Sequence, residues 1–311
     1  MIKTGITNIQ KISRGDRMFF NKVLKNVSIT LYDQIIHEPN ADILAERILL
    51  RFSDERGAYK RTYAKRFEDF DAQVVEVLQQ YFNVNDALSI QDVGVSDGRT
   101  SVDFFEKLIF IFSNINLNAS DFNPMVYILE KNHIKVTLSH TKKVLEIAYP
   151  PFVFNAIKKE CYWFYPLNYL VLFLVNKFVV GPLLKLYQAE KIQAKELLLF
   201  APASLKLANQ DLRFQLSQHN LLTPFKNKNH IIRAMNVLNP PYFSKAEFEI
   251  LLANMHAGLL DGGLLITGSN QEAGTTVHGG MYQKSEMGFQ QIWKSGNGSP
   301  IEKQILEFKS I

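Results

Sequence analysis

The chain has 311 residues, 47% of them hydrophobic and 21% charged, with a net charge of +5; it is too apolar to be disordered and long enough for one large domain or about two ordinary ones. A single cysteine, Cys161, excludes an intramolecular disulfide framework and a cysteine-rich metal site and fits a reducing compartment. The scattered histidines have no His-Glu-x-x-His spacing, so no metal site is expected, and no zinc-finger or helix-turn-helix pattern points to nucleic acid.

The opening residues, MIKTGITNIQKISRGDRMFF, are polar and charged and lack the apolar core of a signal peptide, so a cytoplasmic protein is expected. Residues 17–50 carry two helical stretches, DRMFFNKVLKNVSITLYDQII and ADILAERILLRF, on either side of Pro39 and Asn40. Arg51, Arg56, Lys60, Arg61, Lys65 and Arg66 then crowd together with Asp54 and Glu55. They form either a solvated helix face or a basic rim that attracts an anionic substrate or a cofactor carboxylate. A third helix is expected over 67–82, which makes residues 1–85 a helical cap or small helical subdomain.

The pattern changes at 88. LSIQDVGV (88–95) is a short apolar run ending in a glycine turn, and the helical RTSVDFFEKLIFIF follows; strand, turn and helix open a βαβ unit. INLNASDF (115–122) reads as a second strand ending on an acid. IKVTLSHTKKVLEIAY (134–149) alternates and turns at His140–Lys143, which predicts a β-hairpin and an insertion over about 134–190. Within it, WFYPLNYLVLFLVNKFVVGPLLKLY (163–187) is apolar enough to suggest a membrane span. Asn176 and Lys177 fall near its middle, however, and Gly181–Pro182 is expected to break the helix. A buried helix or a lid over an apolar substrate pocket is the expected form, with peripheral membrane contact as the alternative.

ELLLFAP (196–202), LRFQLSQHNLL (212–222) and HIIRAMNVL (230–238) read as further strands. KAEFEILLANMHAGLL (245–260) is a helix closed by Gly262–Gly263, LLITGS (264–269) the strand after it, and MYQKSEMGFQQIWK (281–294) two short strands around a turn. The expected fold over 86–311 is therefore α/β and Rossmann-like, mostly parallel, and finished by an antiparallel hairpin.

The stretch from Asp92 to Ser101 carries the chemistry. Gly94 and Gly98 let the backbone turn tightly and approach a ligand, and the following helix aims its free N–H groups the same way. Asp121 lies 27 residues beyond Gly94 at the next strand end, where a carboxylate can accept both hydroxyls of a ribose. A nicotinamide dinucleotide would require a third glycine near 99, where Arg99 stands.

GVSDGRTS resembles the first cofactor motif of class I S-adenosylmethionine-dependent methyltransferases. HNLLTPFKNKNHIIRAMNVLNPPYF and GLLDGGLLITGSNQE are similar to segments of the chemotaxis receptor methyltransferases, which modify protein glutamates. The resemblance covers roughly residues 88–295. It departs from the chemotaxis branch at Arg99-Thr100, where that branch carries acids, and at the inserted Asn239-Pro240-Pro241. It implies that Asp92, Gly94, Ser96 and Gly98, with Arg99 on the same loop, surround the methionine part of S-adenosylmethionine. Asp121 would take the ribose, Phe122 the adenine face, and Asn220 and Leu221 the adenine edge. Arg233, Asn236 and Val237 would sit at the active-site end of the fourth strand. Tyr242, His219 and His278 are candidate bases should the acceptor be an amine or hydroxyl. A carboxylate acceptor, whether a protein glutamate or a small lipophilic acid, would need no base. The partner is thus a small-molecule or protein methyl acceptor. A cofactor-binding scaffold or membrane-surface protein without catalysis is the other reading.

Overall fold

The computed structural model describes residues 5–7, 26–150 apart from 37, 39, 51, 56, 58, 59 and 61, 152–157, 166–270 and 276–310. Cys161, most of the opening segment, and Arg51, Arg56 and Arg61 of the basic cluster lie outside the described residues. The chain divides into two units, each built from two stretches: 1–61 with 125–202, and 62–124 with 203–311.

After short N-terminal pieces (strands Gly5–Ile6 and Asn26–Val27 and helical turns over 29–35), the elements in chain order are α1 (Ala41–Leu49), α2 (Glu68–Tyr81), β1 (Ala87–Val93), α3 (Arg99–Ile109), β2 (Asn114–Asp121), β3 (Met125–Lys131), β4 (Ile134–Leu138), β5 (Val144–Tyr149) and β6 (Phe152–Asn155). They continue with α4 (Pro166–Val175), α5 (Gly181–Gln188), β7 (Lys195–Leu198), α6 (Pro202–Gln210), β8 (Phe214–Gln218), β9 (Asn229–Met235), α7 (Lys245–Gly258), β10 (Leu259–Ser269), β11 (His278–Lys284), β12 (Phe289–Ser295) and α8 (Glu302–Glu307).

The second unit holds a seven-stranded sheet in the order β8-β2-β1-β9-β10-β11-β12. Its first five strands are mutually parallel, and β11 and β12 close it as an antiparallel hairpin. From β1 the chain winds outward to β2 and β8, then returns to β9 and β10 on the other side, the doubly wound Rossmann order. Helix α3 makes the β1–β2 crossover and α7 the β9–β10 crossover, as parallel pairing demands. Strand β9, buried along most of its length, has the near-continuous apolar pattern of a strand covered on both faces. Ser244 and Glu247 start α7 with a reciprocal capping box. The glycine pair 262–263 does not cap that helix. Helix α7 ends at Gly258 and passes directly into β10, where Gly262 has φ +75° and the pairing with β9 shifts register.

The first unit is built on an antiparallel sheet in the order β6-β5-β4-β3-β7. The expected hairpin is its centre, turning over 139–143, with Lys142 at φ +65°. Three expectations change here. The segment at 195–198 closes this sheet against β3 instead of joining the parallel one, because its backbone partner, Met125–Leu198 in register, lies just past β2. The boundary expected at 85 falls at 61, so the N-terminal segment and α2 belong to different units. The segment is not a purely helical cap either: within the first expected helix, Asn26–Val27 is a strand paired with Gly5–Ile6, and helix covers only 29–35 among the described residues. Pleating explains the first unit. Val126, Ile128 and Leu197 cluster with Ile29, Leu31, Tyr32, Ile48 and Leu49, whereas Leu129, Val136, Leu138 and Ile147 cluster with Leu172, Val180 and Leu183. On the N-terminal side Glu146 is buried, accepting from Ser28 Oγ at 2.7 Å and the Ile29 N–H at 3.1 Å, and burial pushes its carboxyl up to about 7.

Gly181–Pro182 does not break the apolar helix. Residues 176–180 form a π-helical turn in which the Gly181 N–H bonds Asn176 O, and Pro182 begins α5, where its missing N–H is tolerated.

Candidate functional site

The parallel strands end at one edge, and the structure gathers most of the expected cofactor residues there. Between β1 and α3, Gly94, Ser96 and Gly98 all have positive φ, at +67°, +62° and +79°. Gly94 stands at the point where strand order reverses, the usual ligand crevice of an open α/β sheet. A Cβ there would fall 2.5 Å from Val237, just past β9, so only glycine fits this close approach. Ser96 is a non-glycine residue in the left-handed region, and its N–H donates to Asp121 Oδ2 at 2.7 Å.

Asp121 therefore ties the bend to the end of β2. Its Oδ1 accepts from the Asn123 N–H at 2.9 Å, and its carbonyl accepts from the His219 N–H at 3.1 Å. Gln218 Nε2 donates to Phe122 O at 3.0 Å, so the end of β8 is stitched to the same corner. Asn220 follows there, with Oδ1 accepting from the Leu222 N–H in a local turn. Leu221 is buried among α7 and sheet residues, and its carbonyl accepts from Asn254 Nδ2. Asn123 Oδ1 and His219 Nε2, both buried in this corner, lack a partner among the described residues. The His219 ring stacks on Phe225, centroids 4.4 Å apart, and burial lowers its pKa and so favours the neutral imidazole. Asn123, absent from the sequence expectations, carried no motif signal beyond its place two residues after Asp121.

Past the end of β9, Asn236 has φ +58° and its side chain pairs with Asn270, Nδ2 to Oδ1 at 2.7 Å and Asn270 N–H to Oδ1 at 3.1 Å. Asn270 Oδ1 also accepts from Arg66 Nη2 at 2.8 Å. The ends of β9 and β10 thus carry a guanidinium joined to a pair of amides. Arg66 was legible only as part of a charge run; Asn270 lay inside the resembling segment GLLDGGLLITGSNQE but was not singled out. Its former neighbours in that run part company: Lys60 is buried in the first unit and Lys65 gives its N–H to Asp103 in the second.

Three expected positions have other employment. Arg233 lies within β9 at 1% exposure, donating to Asp92 at 2.8 Å and to Asp71 at 2.9 and 3.0 Å, with its guanidinium 4.6 Å from the Phe104 ring centroid. The cause is register: Arg233 pairs with Asp92 across β9 and β1, so both side chains rise on one sheet face, where α2 and α3 bring Asp71 and Phe104. Asp92 is also taken by Ser101 Oγ at 2.7 Å. Burial outweighs the single guanidinium, raising Asp71 to about 6 and Asp92 above its ordinary value, while the two carboxylates raise Arg233. Arg99 folds back in the bend onto Asp97, Nη2 to Oδ2 at 3.4 Å, both buried. Arg233 and Asp92 are therefore interior ion-pair residues and do not reach the sheet edge.

Tyr242 is half-exposed on the turn at 240–242. His278 Nδ1 accepts from the Asn297 N–H at 3.0 Å, a loop-holding contact near the hairpin.

No family model and no curated protein sequence matches the chain. Solved structures similar to it include the CMeT domain of the citrinin polyketide synthase, at 14% identity over 64% of this chain and 34% of that one, TM-score 0.33. The mitomycin 7-O-methyltransferase MmcR is 11% identical over 78% of this chain and 44% of its own, TM-score 0.33. The N-methyltransferase NodS from Bradyrhizobium japonicum, bound to S-adenosyl-L-homocysteine, is 12% identical over 78% and 74%, TM-score 0.33. The chain spans less than half the length of the first two. The likeness is weak, and the functional reading rests on the chain's own geometry.

Proposed function

We propose that the second unit binds S-adenosylmethionine along the carboxyl edge of the parallel sheet and directs its methyl group to an acceptor held near Arg66, Asn236 and Asn270. The observation that carries this reading is the bond from the Ser96 N–H to Asp121 Oδ2, which joins the glycine bend and the ribose-type acid into one frame. The residues present suit an adenosyl group. A carboxylate accepts up to about four hydrogen bonds, so Asp121 can take a ribose hydroxyl while it accepts from the Ser96 and Asn123 N–H groups. Asn123 Oδ1 and His219 Nε2 are unpartnered buried atoms in the same corner, suited to the polar edge of a purine.

When bound, the cofactor supplies a sulfonium methyl already electrophilic enough that the protein's main task is alignment. Asp121 and the bend fix the nucleoside end, and Gly94 against Val237 sets how closely the backbone approaches. Arg66, anchored through Asn270 to Asn236, gives the far side of the crevice a positive charge that favours an anionic acceptor. We read that acceptor as a carboxylate, on a protein glutamate or a small lipophilic acid. Such a group is ionised at neutral pH and asks no base of the chain.

The test is calorimetric titration with S-adenosylmethionine, followed by tritiated-methyl transfer to cell extract separated into protein and small-molecule fractions. Label released as volatile methanol by mild base marks a carboxyl ester; base-stable label would overturn the carboxylate assignment. Binding without transfer to any fraction would leave a cofactor-binding scaffold in place of an enzyme.

A further inference from the structure

The apolar helix of the first unit leaves one long face bare. Tyr169, Leu170, Phe173, Leu174 and Phe178 are 60%, 51%, 52%, 41% and 65% exposed, while Leu172, Val180 and Leu183 pack against the five-stranded sheet. The π-helical turn matters to this division. Eight residues of ideal α-helix would carry Val180 roughly 80° round from Leu172, and one extra residue absorbed in the wide turn brings the two back within about 20°. Both therefore face the sheet, and the aromatic and leucine side chains are left on the outside. A cluster of large exposed hydrophobics on one helix face marks an interaction surface.

Charge selects what covers it. From Pro166 to Gln188 the helix has Lys177 and Lys185 and no acid. Lys177 Nζ lies 5.5 Å from the Phe178 ring centroid, and Lys142, from the β4–β5 turn, lies 5.5 Å from that of Tyr187. Apolar and aromatic side chains interspersed with lysines, whose long apolar stems let the charge reach outward, are the composition of a helix lying in the headgroup layer of an anionic bilayer. Residues 169–188 are long and apolar enough to cross a membrane, and 17% of their most apolar window is buried. Lys177 lies near their middle, however, and the face holding Leu172, Val180 and Leu183 is already committed to the sheet, so the helix suits the surface and not the bilayer interior.

We propose that this helix docks the first unit on an anionic lipid surface, with Tyr169, Leu170, Phe173, Leu174 and Phe178 at the acyl boundary and Lys177 and Lys185 on the headgroups. This goes beyond the methyl-transfer reading and does not depend on it.

The test is flotation of the purified full chain with vesicles of phosphatidylcholine alone or mixed with phosphatidylserine. The wild type floats with the mixed vesicles, at least about tenfold more than with phosphatidylcholine alone, and salt weakens the association. The double substitution F173E/F178E abolishes flotation and K177E/K185E removes the preference for phosphatidylserine. Both leave the circular dichroism spectrum and melting temperature unchanged, because the replaced side chains are exposed. Wild type that stays with the soluble fraction overturns the proposal, whether it is monomeric or forms a concentration-dependent dimer that F173E/F178E dissociates. Flotation that resists carbonate extraction overturns it too, since it would mean a spanning helix.

Discussion

Replacing Arg233 by methionine tests whether the arginine is a buried counter-ion or part of the reaction centre. The side chain is 1% exposed and answers two carboxylates, Asp71 and Asp92, each also 1% exposed. Removing it strands both, and a buried pair broken from one side costs about 3–5 kcal/mol. The loss depends on pH. Asp71 is raised from 3.8 to about 6, so the folded state binds its proton more tightly than the unfolded chain does. That contribution to stability is complete below about pH 4 and is lost as pH rises through 6; it amounts to about 3 kcal/mol. R233M should therefore be weakest at pH 8 and recover toward pH 5, where the stranded carboxyls take up protons. D71N, which deletes the surplus charge and keeps a polar group against Arg233, should be no less stable than wild type at pH 8 and should lose the slope between pH 4 and 6. Hydrogen exchange of peptides covering β1 and β9, at pH 5 and 8 with the intrinsic rate divided out, reads the local free energy directly. An R233M deficit under about 1 kcal/mol, or a D71N deficit as large as that of R233M, would mean that Arg233 does not hold two buried carboxylates.

Other outcomes follow from the same geometry. Asp121→Ala should weaken S-adenosylmethionine binding at least about tenfold by calorimetry, since it removes a charged acceptor and loosens the bend at Ser96; unchanged affinity removes the role assigned to it. Gly94→Ala should cost about 1–3 kcal/mol in thermal unfolding, from φ +67° and the contact with Val237. V237A added to it should recover only the steric part, and full recovery would show that the backbone angle imposes no strain. Glu146 is raised from 4.5 to about 7, so its contribution is present below about pH 4.5 and lost as pH rises through 7. E146Q should flatten the melting temperature of the first unit across that window and raise it at pH 8; an undiminished slope would assign the titration elsewhere.

Much of the candidate site was legible because its signals are local. A strand, two glycines and a helix start within a dozen residues define the bend, and the end of the next strand locates Asp121. What escaped was anything requiring a neighbour from elsewhere in the chain. Asn270 and Arg66 meet Asn236 only because β9 and β10 finish side by side and the chain before α2 runs along that edge. Asn123 is notable only for an amide oxygen left unpartnered on burial.

The alternation of strand and helix, and with it the parallel winding and the closing hairpin, is written in the residues, because periodicity, glycine turns and capping act over a few positions. That β7 pairs with β3, that the units divide at 61, and that Arg233 serves the interior came from contacts between distant residues. Pairing and register are settled between residues far apart in the chain, and a shift of one position moves a charged side chain from one sheet face to the other.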